Sequence, residues 1–153
     1  MKYFTLRGIG RAAALGLAWA VVWAPIAVVI GTTIVDPDNS MDEMWLTIGA
    51  YPGFLCAVIF SALLGIAERG RRLDEVSLVR AAAWGALAGV LVGAFPFTVG
   101  TPTSSVPLWH LGLAIIGSIA LMSVLSAVAS ASLARMVKKR QLRSRFHKQL
   151  AQQ

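Results

Sequence analysis

Apolar residues run almost unbroken through four stretches of this chain, and short polar pieces separate them. The stretches lie near residues 12–35, 45–67, 78–99 and 108–134. Each is long enough to cross a hydrocarbon core of ~30 Å, which takes about 20 helical residues. A segment in lipid must satisfy its backbone polar groups internally, so the pattern predicts helices rather than isolated strands. The expected fold is all-α, a bundle of four transmembrane helices. The first and third connections are short, and each predicts an antiparallel hairpin.

Two hairpins raise the question of duplication. Arg11-Ala-Ala-Ala-Leu-Gly16 matches Arg80-Ala-Ala-Ala-Trp-Gly85, and each run later meets a proline and then a glycine: Pro25 and Gly31, Pro96 and Gly100. A parallel repeat, with its axis along the membrane normal, would produce this pattern. Chance likeness between Ala/Gly-rich helices would produce it too, and helices two and four match poorly.

Small residues recur at spacing four within the stretches. Helix two carries Gly49, Gly53, Ala57, Ser61 and Gly65 in one row, and helix three carries Ala81, Gly85, Gly89 and Gly93. Helix one offers Gly16, Ala20 and Ala24; helix four offers Ser118, Ser126 and Ser130, with Met122 interrupting. Helices in lipid associate through close backbone approach, which such rows permit. The rows of helices two and three are therefore the predicted packing positions. They can close the bundle internally or join two copies, and internal closure is the better expectation because a four-helix bundle must hide several such faces.

Charge assigns the sides. All fourteen Lys and Arg residues fall in the first, third and fifth polar pieces: Lys2, Arg7 and Arg11; Arg69, Arg71, Arg72 and Arg80; and Arg135, Lys138, Lys139, Arg140, Arg143, Arg145 and Lys148. The second piece, 36–44, holds four acids and no base, and the fourth, 100–107, holds no charge. The positive-inside rule then predicts four crossings with both termini in the cytoplasm. The basic start followed by an apolar run resembles a signal peptide. The run is too long for one, and no convincing small-residue cleavage site follows it. A retained first helix is expected.

Composition agrees with a membrane class: 57% apolar, 14% charged, with a mean hydropathy of +0.70. The net charge of +7 follows from the cytoplasmic pieces and calls for no nucleic-acid partner. A lone cysteine, Cys56, excludes an internal disulfide and reads as a small apolar residue. The Ala/Gly/Val-rich spans suit a bacterial cytoplasmic membrane.

Candidate chemistry is sparse. Asp36, Asp38, Ser40 and Asp42 alternate as the first ligands of a calcium loop do, yet the glycine and bidentate glutamate of that motif are missing. Ser40 to Glu43 reads better as a capping box, with Asp42 and Glu43 complementing the helix dipole. His110 is the candidate ligand for a haem-like metal, but it lies near an interface with no second histidine at its depth. Trp19 and Trp23 share one face at mid-membrane depth. They could line a pocket for a flat apolar ligand; packing against small-residue helices is the favoured reading. Pro25, Pro52 and Pro96 lie in the outer halves of their helices and could splay them into a shallow vestibule near Tyr51, Phe95 and His110.

Residues 135–153 form a basic tail that continues the pattern of helix four, and as a helix it carries Leu142, Phe146 and Leu150 in an apolar stripe at spacing four. Such a segment suits anionic inner-leaflet lipids or a docking partner, with Arg135, Lys138, Lys139, Arg140, Arg143, Arg145 and Lys148 as the contacts. No span holds an acid, lysine or arginine near its centre, where coupled transport places one. No nucleophile with a partnered base, carboxylate pair or metal cluster is visible. The expectation is a non-catalytic membrane protein without a cofactor, acting as an accessory subunit or assembly factor with a membrane-protein partner or as a homo-oligomer. The alternative is a small oligomeric transporter or channel for an apolar or weakly polar solute. A shared polar face across the membrane would favour that alternative, and Ser118, Ser123, Ser126 and Ser130 come closest to one.

Overall fold

Uncharged runs longer than twenty residues leave a backbone in lipid no partner but itself, and helices result. In a computed structural model, residues 6–35, 38, 42–68, 73–99 and 107–150 are described. Among them there is no strand. Four helices are long and apolar enough to cross a membrane. They are α1 (Leu6–Ile30), α2 (Asp42–Ala67), α3 (Leu78–Val99) and α4 (Leu108–Leu150).

One end differs from the sequence reading. The first span finishes in a π-helical segment, Gly31–Val35, rather than in regular α-helix. There the Thr32 hydroxyl donates to the Val28 carbonyl at 2.9 Å, and the Trp45 indole ring lies directly against Gly31. A widened turn needs such help, because its backbone bonds leave the regular ladder. The fourth helix runs unbroken past the span end near residue 134 to Leu150, as the continued pattern of the basic tail leads one to expect. Sixteen further residues at 1.5 Å rise carry it on by about 24 Å.

The helices associate in two pairs, α1 with α2 and α3 with α4, and α2 joins the pairs mainly through α3. Backbone approach explains the pairing. A methyl group added at Gly85 would stand 2.7 Å from the Ala127 Cβ, one at Gly89 would stand 2.5 Å from the Ala120 Cα, and one at Gly93 would stand 2.9 Å from the Ile116 Cα. Partners descend along α4 as the glycines ascend along α3, so the two run antiparallel. On the other pair, Gly49 lets α2 reach the Trp23 carbonyl and the Ala27 Cβ, each 2.6 Å from where its own Cβ would be. Gly53 lies flat against the Trp23 ring. Gly65 has nothing within 4 Å, so the α2 row leaves the packed face before its end.

The end of the bundle carrying the basic residues is closed by its loop. Val76 is 1% exposed and packs on Ala81 and Ala131, with Leu64 and Leu73 against them. The local sequence explains this placement. The Ser77 hydroxyl accepts the Arg80 N–H at 3.2 Å and so caps α3. Val76 and Ala81 on either side of that cap form a hydrophobic staple, which sets the angle at which the chain enters the helix.

Candidate functional site

The seam between the two helix pairs is where side-chain chemistry concentrates. Trp19 and Trp23 stand one turn apart on α1 with ring centroids 6.3 Å apart, and Phe60 of α2 stacks on Trp19 at 5.5 Å. Both tryptophans are buried. A buried indole N–H needs an acceptor, and α4 supplies one for each. Trp23 Nε1 donates to Ser126 Oγ at 2.8 Å, and Trp19 Nε1 donates to Ser130 Oγ at 3.1 Å. Matching four-residue spacings on two antiparallel helices make this ladder possible. The long indoles bridge a separation that α1 and α4 otherwise leave open. Behind them Cys56 and Ser123 face each other, both fully buried.

Towards the basic end, ionic contacts tie the pairs further. Arg80 of α3 reaches Glu68 at the end of α2 at 3.3 Å. Lys138 meets Asp74 at 2.5 Å and Glu75 at 3.9 Å, while Arg135 donates to the Val76 carbonyl at 2.6 Å. The connecting loop is thus held against the first turns of the α4 extension.

Towards the far end the pairs part. An apolar groove of about 290 Å³ lies between α1, α2 and α4, with Trp23 and Met122 at its inner limit and Trp45 at its outer one. Pro52 forms part of its wall, whereas Pro25 and Pro96 do not. Tyr51, Phe95 and His110, expected near a vestibule, are exposed and do not line it.

The chain matches no protein family, no curated protein and no solved structure.

The remaining candidates fall as follows. The His110 ring stacks on Trp109 at 3.3 Å in an exposed position at the start of α4. Asp38 lies in an exposed turn, Asp36 and Ser40 lie outside the described residues, and so do the side chains of Asp42 and Glu43. Lys139, Arg140 and Arg143 are exposed along α4, beside the exposed Met136 and Leu142; the side chains of Arg145 and Lys148 lie outside the described residues. Ser61 donates to the Ala57 carbonyl on its own helix, and Ala57 is fully buried in the core.

Three features of the seam are not part of the sequence reading: the pairing of tryptophans with serines, the burial of Val76, and the docking of Asp74 and Glu75 on Lys138. The first has a visible signal in two residue pairs of equal spacing. Val76 has one as well, a lone apolar residue just before a serine cap. The acid–lysine contacts have none, because their partners are more than sixty residues apart.

Proposed function

We propose that this protein is a non-catalytic integral membrane subunit or assembly factor, with the basic end in the cytoplasm. One observation carries the reading. Three of the four serines of α4 that come closest to a polar path are not free to line one. Ser126 and Ser130 are bonded to the indoles and Ser123 is enclosed beside Cys56, while Ser118 bonds the Ile115 carbonyl of its own helix and stays exposed. A route for a polar solute needs such groups facing water. The α4 extension supplies what a subunit needs instead: a helical arm whose Lys139, Arg140 and Arg143 remain exposed for anionic headgroups or an acidic partner. The small-residue rows of α2 and α3 are taken up within the chain over most of their length, so docking falls to the outer helix faces and the arm. A small carrier for an apolar solute is the second reading, supported by the far-end groove.

Extraction of the tagged protein from its native membrane in mild detergent, with native sizing and mass spectrometry, tests this. A stoichiometric membrane-protein partner is the expected result. A protein that runs alone or with itself, and that moves an apolar solute across vesicle membranes, overturns it.

A further inference from the structure

The far-end groove has dimensions that restrict what can fill it. Its walls run from Trp23 to Ile30 on α1, Trp45 to Pro52 on α2 and Ile115 to Met122 on α4, seven helical steps in each case. At 1.5 Å rise that is a channel about 10 Å long. Its volume is about 290 Å³. A stable protein interface takes about 800 Å² from each partner, far more than a groove of this length presents. A hydrocarbon chain needs no such area, because it can lie along the groove with carbon–carbon contacts of about 4 Å.

The lining chemistry agrees with the size. Among the described residues no charged one lines the groove, and its walls are apolar apart from Ser118 and the two indole N–H groups. The Ser118 hydroxyl bonds the Ile115 carbonyl and the Trp23 N–H is taken by Ser126, while the Trp45 N–H, at the outer limit of the groove, is buried without an acceptor. The walls come from α1, α2 and α4 without α3, and α1 and α4 approach each other less closely than either approaches its own paired helix. Left empty, its lining would lose dispersion contacts on one side.

We infer that this groove holds one hydrocarbon chain of a bilayer lipid, inserted between the helix pairs from the far leaflet. The site is independent of the subunit reading, because it requires only that the chain be embedded in a membrane. The chain would lie beside Trp23, a residue 5% exposed in the protein alone, while Trp19, at 4%, lies outside the groove.

Bromine on an acyl chain quenches indole fluorescence at contact, so these two equally buried tryptophans report different things. The protein is reconstituted in phosphatidylcholine with or without brominated acyl chains. Differences between wild type and the single variants Trp19→Phe, Trp23→Phe and Trp109→Phe give each residue's contribution. The expected result is Trp23 quenching at least twofold above that of Trp19 and comparable to that of the exposed Trp109. Ser118→Phe, which fills the groove, should return Trp23 to the Trp19 level, and Ile115→Phe is the second filling variant should the first fail to fold. Trp23 quenched no more than Trp19 overturns the inference. So does quenching of Trp23 that appears only when the protein is diluted in lipid, because a second copy would then be the occupant.

Discussion

Gly89 on α3 offers a test of the packing argument in which one methyl group has a calculable effect. Its added Cβ would lie 2.5 Å from the Ala120 Cα and 2.9 Å from the Ile119 carbonyl oxygen. Carbon atoms rest at about 3.5–4.0 Å, so at least ~1 Å is missing at the first of these contacts. Both obstacles are backbone, and no side-chain rotation relieves them. The two helices must move apart, which loosens the neighbouring contacts at Gly85 and Gly93. Overpacking of this kind costs about 1–3 kcal/mol, and the gain in helix propensity from glycine to alanine offsets about 0.5–1 kcal/mol. A net loss of about 1–2 kcal/mol is expected for Gly89→Ala. The same change at Gly65, where nothing lies within 4 Å, should be neutral or slightly stabilising. Cys56 provides the readout. It is the chain's one cysteine and is 0% exposed, in a cluster with Phe60, Ala88 and Ala127. A thiol reagent reaches it when the helix pairs loosen, so its rate reports the opening equilibrium. Gly89→Ala should accelerate modification in detergent micelles about 5–30-fold, and Gly65→Ala should stay within about twofold of wild type. Equal rates for Gly89→Ala and wild type, or equal acceleration by both variants, would refute the reasoning.

Four further outcomes are expected. In a double-mutant cycle of Trp23→Phe with Ser126→Ala, read by unfolding in mixed detergent, the pair should couple by about 0.6–1.7 kcal/mol, the range of such bonds between membrane helices; additive effects would mean that the bond carries no stability. Trp19→Phe with Ser130→Ala should behave alike, and Trp19→Phe with Ser126→Ala, a pairing absent from the structure, should couple more weakly. Arg135→Gln should lower stability by about 1 kcal/mol in the same assay through loss of its bond to the Val76 carbonyl, and unchanged unfolding would exclude that bond as a clamp. Lys138→Gln should cost less than about 1 kcal/mol, because the lysine is half-exposed, and its difference from wild type should shrink without vanishing near 1 M salt, because the Asp74 side chain is largely buried. For sidedness, Arg143→Cys should resist an impermeant thiol reagent in intact cells; labelling from outside would reverse the proposed orientation.

What can be read along the chain is what repeats along it. Apolar length shows four helices, because a backbone in lipid has no other way to satisfy its own groups. The distribution of lysine and arginine suggests the sides, and glycine at spacing four on α3 marks a close-packed face. Limits appear wherever a property depends on which helix comes next to which. Gly85, Gly89 and Gly93 do not say that Ile116, Ala120 and Ala127 will face them, since α4 also carries a serine row on a neighbouring face. That row, Ser126 and Ser130, reads equally as packing surface or polar path until the indoles of α1 are placed against it. Arg135 and Lys138 look no different from Lys139 and Arg140 in sequence, and only the folded loop takes the first two for Val76, Asp74 and Glu75. The groove is the extreme case. It is space left between three helices, set by how far apart their axes lie, and a residue string records no distance between elements.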